Sequence, residues 1–361
     1  MKSKTVSRRE FLKASSVGCA GLSFLRIDKY LDISSSLLPE FPQADRLGRV
    51  LEVTVPLKLR PDIDSQDVGQ LFEDDIVPWL REVVGSRPMW NTQRFVETLN
   101  GYVYAPNLQP VLNIPNSPLQ ALPNSQGFWV EMSVPYIDLI LANPPARSPW
   151  LKRSAYPRLY YGQIMWVDEI RNDDQGVTWY RVKENFGSYG DIFWVPGEAL
   201  RPIPPEEWSP INPDIEDKHV EVNVTHQYLS CFEGTSEVYY CRVSTGGKYD
   251  VNGAPSSEWA TPLGTHTIWR KLVSTHMTGG TTGGGYDLPG IGWTTLFSGQ
   301  GMAIHSTFWH NSYGVPRSHG CVNAKPDDAK WVFRWTLPVV PPETGEITIS
   351  GKGSTRVTVK E

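Results

Sequence analysis

The sequence predicts a mainly β protein: two small β-barrels followed by a β-rich third domain with one short helix. Three observations predict this class. The chain has 30 Pro and 31 Gly, residues that separate short elements. It also has 14 Trp, and large aromatic residues favour strands. Val220, Val222 and Val224 alternate with polar residues at the period of two that strands show. With 361 residues and 40% hydrophobic content, the chain is long enough for two or three packed domains.

The charge of the chain argues against nucleic acid as a partner. It has 34 Lys and Arg against 39 Asp and Glu, so the formal net charge is -5. No long basic cluster follows the N-terminus, although nucleic-acid-binding domains usually carry a basic patch.

The first residues resemble a twin-arginine export signal. Residues 7–13 read Ser-Arg-Arg-Glu-Phe-Leu-Lys, and a modest apolar stretch follows at residues 14–25. That stretch is shorter than the roughly 20 apolar residues that cross a membrane. We therefore predict a signal at residues 1–27, read by the twin-arginine export machinery, and a linker at residues 28–44. The protein is then expected to be exported to the cell envelope, either the periplasm or the cell wall. The alternative is a basic start without such a role.

Two small barrels are predicted at residues 45–113 and 127–204, joined by a Pro-rich linker at residues 114–126. Thr98–Tyr104 reads as a strand, an Asn-Gly turn and a second strand. Trp79 is echoed by Trp166 at an offset of 87 residues, and Pro106 by Pro196 at an offset of 90 residues. Two echoes at nearly one offset indicate a tandem duplication. Each unit resembles the bacterial Src-homology-three-like barrel, which implies either contact with the cell wall or a spacer.

The third domain is predicted at residues 217–350, after a Pro-rich hinge at residues 205–216. Cys231 and Cys241 flank a turn at residues 233–236, so either a disulfide across a hairpin or two free buried thiols fits them. A helix is predicted from Pro326, because Pro suits the first turn and the next two residues are Asp. The Gly/Thr run at residues 278–285 reads as a mobile flap.

The chemistry-bearing stretch runs from residue 303 to residue 323, as A-I-H-S-T-F-W-H-N-S-Y-G-V-P-R-S-H-G-C-V-N. A cysteine nucleophile needs a base, an imidazole held in one tautomer, and backbone N–H groups for the oxyanion. His305 lies 16 residues before Cys321, and His319 two residues before it. His319 and the following helix place positive character near the sulfur, so a lowered pKa is expected for the Cys321 thiol.

This pattern resembles the signature of the L,D-transpeptidase catalytic domain, known as YkuD-like. A histidine followed after a gap by Ser318-His319-Gly320-Cys321-x-Asn323 carries the resemblance. Residues 261–264 and the strand end at residues 243–246 also look like this family. Many members have Gly directly after the first histidine, where this chain has Ser306. That departure affects the local backbone geometry and removes no catalytic atom.

The resemblance implies residue roles. Cys321 would be the nucleophile and His305 the base, its second ring nitrogen oriented by a carbonyl such as that of Ser306. The backbone N–H groups of Gly320 and Cys321 would form the oxyanion hole. The residues that would support the catalytic loop are Ser306, Ser318, His319, Gly320 and Asn323. Tyr286 and Trp293 are candidates for a substrate flap, while His266, His276 and His310 are expected to be structural or flap residues.

The family also implies an activity on peptidoglycan stem peptides. Cys321 would attack the third residue of a tetrapeptide stem, release D-alanine and form a thioester. An amine of a neighbouring stem would then give a 3→3 cross-link, whereas water would make the protein an L,D-carboxypeptidase. The resemblance implies acylation by carbapenem-type β-lactams, and the chemistry requires no metal or organic cofactor.

Three rival interpretations remain at this point. His305, His310, His319 and Cys321 have ligand types that suit zinc, although their spacing matches no common zinc motif. A cell-wall cysteine peptidase or amidase shares the thiol chemistry, but such enzymes commonly place Cys before His. The third is a non-catalytic cell-wall-binding protein.

Overall fold

Strands dominate the regular structure, and the prediction of a mainly β protein is confirmed. A computed structural model describes residues 37–87, 92–153, 157–249, 254–279, 286–350 and 353–361. The predicted signal and most of the following linker lie outside the described residues. Within the described ranges, no helix is both long enough and apolar enough to cross a bilayer.

The first part of the chain forms two antiparallel sheets. Their eight strands are β1 (Leu47–Val50), β2 (Thr54–Lys58), β3 (Asp67–Phe72), β4 (Ile76–Pro78), β5 (Arg81–Val84), β6 (Arg94–Thr98), β7 (Gly101–Tyr104) and β8 (Leu108–Val111). The strand orders are β4-β1-β8 and β3-β2-β7-β6-β5. The predicted Asn-Gly hairpin is the β6–β7 connection, in which Thr98 pairs with Gly101. Gly101 has a φ of +150°, a conformation that favours glycine.

The second part forms a six-stranded sheet and a two-stranded ribbon. Its strands are β9 (Phe128–Met132), β10 (Tyr136–Asp138), β11 (Ile140–Leu141), β12 (Arg158–Tyr160), β13 (Ile164–Asn172), β14 (Thr178–Lys183), β15 (Ile192–Pro196) and β16 (Leu200–Pro202). The sheet order is β11-β15-β14-β13-β9-β16, β10 pairs with β12, and a short helix α1 spans Pro149–Arg153.

The two parts end in the same order of elements. A 3-10 helix at Ala105–Asn107 separates β7 from β8, and another at Gly197–Ala199 separates β15 from β16. This shared ending supports the predicted duplication. The resemblance to Src-homology-three-like barrels and the domain boundaries stay predictions.

The third part forms two five-stranded sheets around a large apolar core, after a 3-10 helix at Pro205–Glu207. The strands of the first sheet are β17 (Lys218–Asn223), β18 (Tyr228–Glu233), β19 (Ser236–Arg242), β20 (Gly264–Thr267) and β26 (Arg356–Lys360), in the order β19-β18-β17-β26-β20. Strand β26 lies between β17 and β20 in this sheet, beyond the end of the domain predicted from sequence. It pairs in parallel with β17, from His219 with Arg356 to Asn223 with Lys360.

The second of these sheets carries the residues singled out by the sequence. Its strands are β21 (Arg270–Gly279), β22 (Tyr286–Leu296), β23 (Ala303–Ser306), β24 (Val322–Ala324) and β25 (Glu346–Thr348), in the order β24-β23-β22-β21-β25. Strands β23 and β24 pair in parallel, with the loop of residues 307–321 between them.

The predicted helix is present as α2, Pro326–Trp335. Pro326 opens it, and Asp327 and Asp328 lie in its first turn, where carboxylates interact favourably with the helix dipole. Its apolar side, which includes Val332 and Trp335, packs into the core of the third part. The helix therefore begins directly after the strand that follows Cys321.

A buried lysine satisfies the carbonyl groups at the C-terminal end of α2. Lys271 is 1% exposed, and its Nζ donates to the carbonyl oxygens of Phe333 at 2.5 Å, Thr336 at 2.7 Å and Pro338 at 2.8 Å. The last carbonyls of a helix have no partner within it, so another group must satisfy them when they are buried. Lys271 thus joins β21 to the end of α2.

Cys231 and Cys241 are both free thiols. They lie on the paired strands β18 and β19, but Cys231 is opposite Tyr239 and Cys241 is opposite Leu229. An irregularity in the register follows Cys231. The hairpin is therefore as predicted, whereas the suggested disulfide is absent because the two residues are not cross-strand partners.

Residues 38–361 form one compact unit, and its parts are joined by specific polar contacts. Arg49 on β1 is 4% exposed and donates to Gln109 at 2.9 Å, to Asp74 at 2.7 Å and to the Phe308 carbonyl at 2.8 Å. Asn311 donates to the Ala105 carbonyl at 3.2 Å. The loop between β23 and β24 is thus held by the first part of the chain.

We predict that Lys271→Met lowers the free energy of unfolding by about 2–4 kcal/mol, because the carbonyls of Phe333 and Thr336 lose a buried hydrogen bond and that of Pro338 a partly buried one. Urea denaturation monitored by tryptophan fluorescence measures the change.

Lys360→Met is the matched control, since Lys360 bonds Glu221 at 2.5 Å at the surface. Exposed ion pairs contribute less than about 1 kcal/mol, so this variant should remain close to the original protein. Equal unfolding midpoints for the two variants would contradict the role assigned to Lys271.

Candidate active site

The parallel pairing of β23 and β24 brings His305 and Cys321 to the same place. His305 pairs with Asn323, and Cys321 lies two residues before Asn323, directly ahead of β24. Side chains two residues apart along a strand project from the same face of a sheet. The topology therefore places the three side chains on one face, although Cys321 follows His305 by 16 positions in the sequence.

These side chains line one cavity of about 430 Å³. The residues around it come from β21, β22, β23, β24 and the loop that precedes β24. They are Met277, Tyr286, Asp287, Leu288, Ile291, His305, Trp309, Arg317, Ser318, His319, Cys321 and Asn323. The cavity is therefore large enough for part of a peptide and contains the two residues expected to react.

The loop before Cys321 is fixed by the strand end at residues 243–247. The backbones of Ser244 and Asn323 exchange two hydrogen bonds of 2.9 Å. The Ser318 N–H donates to the Thr245 carbonyl at 3.0 Å, and the Gly247 N–H donates to the Ser318 carbonyl at 2.7 Å. The resemblance noted at residues 243–246 thus corresponds to a structural support for the Cys321 loop.

His305 is held in one tautomer. Its Nδ1 lies 2.8 Å from the Ser306 carbonyl oxygen, the partner expected for it. A carbonyl oxygen only accepts, so Nδ1 carries the proton and Nε2 has a free lone pair. Burial lowers the pKa of His305 to about 4, against the opposing effect of the Ser306 hydrogen bond. The imidazole is therefore neutral at physiological pH and able to take a proton at Nε2.

The pKa of the Cys321 thiol is raised, whereas the sequence predicted that it would be lowered. The residue is partly exposed, but burial of its thiol raises the pKa to about 11, and a backbone hydrogen bond from Ala303 opposes this only in part. Removal of sulfur from water disfavours the thiolate more than nearby dipoles favour it. The free site therefore holds a neutral thiol beside a neutral imidazole, and the expected preformed thiolate was wrong.

One of the two expected oxyanion donors is already engaged. The Gly320 N–H donates to Ser318 Oγ at 3.1 Å, and Ser318 Oγ in turn donates to the Cys321 carbonyl at 2.5 Å. Gly320 has a φ of +108°, a conformation that L side chains rarely adopt, which explains the glycine before the cysteine. Of the expected pair, the Cys321 N–H is left as the candidate donor.

Ser306, the departure from the resembled pattern, connects two strands. Its side chain is buried, and its Oγ accepts the Gly292 N–H at 3.0 Å. The hydroxyl thus ties β23 to β22, and the substitution is compatible with the ordered strand that carries His305.

The two aromatic flap candidates lie in different surroundings. Tyr286 lines the cavity, and its ring centroid is 5.1 Å from that of His319, which also lies 4.5 Å from Trp259. Trp293 is 1% exposed and packs against Trp208 and Phe333 in the core. Trp293 is therefore a core residue, and its assignment to a flap was wrong. Residues 280–285 of the predicted flap lie outside the described part.

A buried Glu-His-Asp cluster lies at the edge of the cavity. His276 Nδ1 is 2.6 Å from Glu184 Oε2, and His276 Nε2 is 2.6 Å from Asp287 Oδ1. Burial lowers the pKa of His276, but hydrogen bonds to the two carboxylates outweigh this and raise it. His276 thus joins the β21–β22 hairpin to the second part of the chain.

A second cavity of about 480 Å³ lies near the other side of the loop and contains neither Cys321 nor His305. Its arginines are already paired with carboxylates. Arg94 contacts Glu82 at 2.6 Å, and Arg201 contacts Glu131. We therefore assign the chemistry to the smaller cavity.

The zinc interpretation gains no support from the geometry. Among the residues that the structure describes, no group of three or more His, Cys, Asp or Glu side chains is arranged to hold a metal ion. His310 instead contacts Asn323 at 2.8 Å and the Ser312 N–H at 3.2 Å.

Several residues of the site were not identified from the sequence. Glu184 and Asp287 reach His276 through tertiary packing, and nothing local in the sequence indicates this. Arg317 lines the cavity and bonds Ser312 Oγ at 3.0 Å and Glu52 at 3.2 Å.

Trp309, which by sequence could belong to a peptide groove or to the core, lines the cavity. Its ring stacks on His305 with centroids 5.8 Å apart.

Solved structures similar to this chain include three L,D-transpeptidases at low identity. The Xylanimonas cellulosilytica protein is 22% identical over 39% of this chain and 59% of its own, with a TM-score of 0.28. A cysteine-to-serine mutant from Enterococcus faecium is 23% identical over 40% and 50%, with a TM-score of 0.30. The Mycobacterium smegmatis protein is 17% identical over 68% and 100%, with a TM-score of 0.31. This chain thus spans about half of the first two structures.

A comparison with curated proteins gives no match. The comparison with family models is more specific, because one model covers both sheets of the third part and the loop between β23 and β24. Residues 217–359 match the family model described as YkuD, the L,D-transpeptidase catalytic domain. That range includes most of β26, which the boundary predicted from sequence left out. The third part of the chain is therefore similar to the YkuD L,D-transpeptidase catalytic domain over residues 217–359.

Proposed function

We propose that the protein is an L,D-transpeptidase that acts on peptidoglycan stem peptides, with Cys321 as nucleophile and His305 as base. One observation carries the assignment of roles. His305 Nδ1–H donates to the Ser306 carbonyl, which leaves Nε2 as the basic atom in the cavity that Cys321 also lines. The match of residues 217–359 to the catalytic-domain family supports the choice of reaction.

In the acylation half-reaction, His305 Nε2 takes the thiol proton as Cys321 Sγ attacks the carbonyl of the third stem residue. The resulting oxyanion collapses, the bond to the terminal D-alanine breaks, and His305 returns the proton to the leaving amine. The product is a thioester on Cys321. Because the resting thiol and imidazole are both neutral, the Cys321 proton must pass to His305 Nε2 in the course of acylation.

In the second half-reaction, an amine from the third residue of a neighbouring stem attacks the thioester. His305 accepts the proton of that amine and gives it to the departing sulfur, so a 3→3 cross-link forms and the thiol is restored. Water in place of the amine would give an L,D-carboxypeptidase. A cell-wall cysteine peptidase would cut the stem at a different bond, and a non-catalytic wall-binding protein would leave it intact. The proposed chemistry requires no metal or organic cofactor.

The proposed substrate lies outside the cytoplasm, which agrees with the twin-arginine signal predicted at residues 1–27. Export to the cell envelope is therefore part of the proposal. Contact with the cell wall through the first two parts is a further proposal. Arg49 and Asn311 also give the first part a second use, as a support for the catalytic loop.

Cys321→Ala is expected to abolish release of D-alanine from a disaccharide tetrapeptide and to abolish the mass adduct with a carbapenem. His305→Ala should lower both rates by about 10²–10⁴-fold, the usual contribution of general base catalysis. Intact-mass spectrometry and D-alanine quantification measure these changes on protein that begins near residue 38.

Cys241→Ala is the matched control for loss of a thiol, because Cys241 is buried away from the cavity. It should react like the original protein. An adduct that persists in Cys321→Ala would contradict the assignment of the nucleophile, and product masses would distinguish cross-linking from hydrolysis.

The raised pKa of Cys321 predicts slow alkylation at neutral pH. Only the thiolate reacts with iodoacetamide, so the rate at Cys321 should rise with pH up to about 11. Acylation should instead be lost as the pH falls toward 4, where the base His305 becomes protonated. A pH series of peptide-resolved alkylation and of carbapenem acylation checks both. An alkylation rate that levels off below about pH 8, near the pKa of an unperturbed thiol, would contradict the neutral resting pair.

A further inference from the structure

Arg317 supplies a positive charge to the cavity that contains Cys321. It lies four residues before Cys321 in the loop that precedes β24, and it lines the same cavity. No other lysine or arginine is found among the described residues that line this cavity, and the imidazole of His305 is neutral there. A guanidinium stays protonated at physiological pH. The wall of the site therefore carries a permanent cation that the reaction described above does not use.

The backbone of Arg317 is held more firmly than its side chain. The backbone N–H donates to the Thr245 carbonyl at 2.8 Å, so the residue is anchored to the strand end that supports the Cys321 loop. The side chain is 43% exposed, so solvent and ligands reach it. Its Nη1 donates to Ser312 Oγ at 3.0 Å, and its Nη2 donates to Glu52 Oε1 at 3.2 Å. These contacts use two of the five N–H groups of a guanidinium, and the other three have no partner among the described residues.

The ion pair with Glu52 is one that a ligand carboxylate can replace. Glu52 is 46% exposed, and ion pairs between exposed side chains contribute little, because water competes for both charges. The acid that lines the cavity, Asp287, is already occupied. Its Oδ1 lies 2.6 Å from His276 Nε2, and its Oδ2 accepts the Trp150 N–H at 2.6 Å. Arg317 therefore keeps most of its hydrogen-bonding capacity for a bound anion.

We propose that Arg317 selects the substrate by pairing with a carboxylate of the stem peptide bound in the cavity of Cys321. This rests on the proposed function and makes Arg317 a specificity-determining residue. The planar guanidinium presents its N–H groups in a fork that matches the two oxygens of a carboxylate. A tetrapeptide stem has one carboxylate on its terminal D-alanine, one residue beyond the carbonyl that Cys321 attacks. Its third residue carries a second when that residue is a diamino dicarboxylic acid. Both sources present the same chemistry to Arg317, which exchanges Glu52 for the substrate.

Three stem peptides test this inference. The first has both carboxylates, the second ends in D-alaninamide, and the third has the side-chain carboxylate of its third residue amidated. The measurement is kcat/KM for release of the terminal residue, followed by mass spectrometry, in the original protein and in Arg317→Gln. For the first peptide, the substitution should lower kcat/KM by about 10–100-fold, the usual effect of losing a hydrogen bond to a charged group.

The amidated peptides identify which carboxylate is bound. Amidation of the one that Arg317 binds should slow the original protein by a similar factor. Arg317→Gln should then cause no further loss, because the contact is already absent. Amidation of the other carboxylate should leave the full effect of the substitution in place. Alkylation of Cys321 by iodoacetamide should stay within about threefold in every variant, since burial and the backbone of Ala303 set the pKa of its thiol.

Arg94→Gln is the matched control. Arg94 is also a partly exposed arginine paired with a glutamate, Glu82 at 2.6 Å, but it lines the second cavity. Its loss should leave kcat/KM unchanged for all three peptides. Glu52→Gln should raise kcat/KM for the first peptide by up to about fivefold, because Glu52 then no longer competes with the carboxylate of the substrate.

Two outcomes would overturn the inference. One is an equal loss for all three peptides in Arg317→Gln, which would show that the residue supports the loop and contacts no carboxylate. The other is an unchanged kcat/KM in Arg317→Gln for the peptide with both carboxylates. In both cases the original protein still releases D-alanine, so the proposed function stands. If the original protein releases the terminal residue from none of the peptides, the proposed function fails, and the inference fails with it.

Discussion

The parallel pairing of β23 with β24 is the constraint on which the site depends. It sets His305 opposite Asn323 and leaves Cys321 one residue ahead of the strand, so three side chains meet on one face. Parallel strands require a crossover, and here the crossover is the loop that also supplies Trp309, Arg317 and Ser318 to the cavity. A shift of one residue in this register would turn His305 and Asn323 away from each other.

The register is maintained from outside the sheet as well as within it. Ser244 bonds the backbone of Asn323, and Arg49 and Asn311 connect the loop to the first part of the chain. Ser274 Oγ donates to the Ile164 carbonyl at 2.6 Å, which ties β21 to the second part. The sheet that carries His305 is therefore held by both parts that precede it. Because polar contacts are directional, they specify position more tightly than apolar packing does.

How much the sequence could predict follows from how local each signal is. The strand content, the β6–β7 hairpin and helix α2 are set by turn residues, alternation and capping within a few positions, so the fold class was predictable. His305 and Cys321 could also be identified from the sequence, because their spacing belongs to a family pattern. The pKa of Cys321 was not, because burial of the sulfur depends on tertiary packing. Trp293 was misplaced since an aromatic residue in a core and one beside a cavity look alike in sequence. Strand β26 pairs with β17 from far along the chain, His219 with Arg356, and no local pattern indicates that partner.

The Glu184–His276–Asp287 cluster joins the third part of the chain to the second part. The match to the family model begins at residue 217, after Glu184. Glu184 nevertheless contacts two residues within the matched range: its Oε2 lies 2.6 Å from His276 Nδ1, and its Oε1 accepts the Gly290 N–H at 2.7 Å. A fragment cut at residue 217 would keep Asp287 and His276 but expose one ring nitrogen and one strand of the hairpin that carries Tyr286. The residue at which the family match begins therefore does not mark the start of a structurally separate part of the chain. In this chain the upstream segment supports the hairpin whose residues Tyr286 and Asp287 line the candidate site.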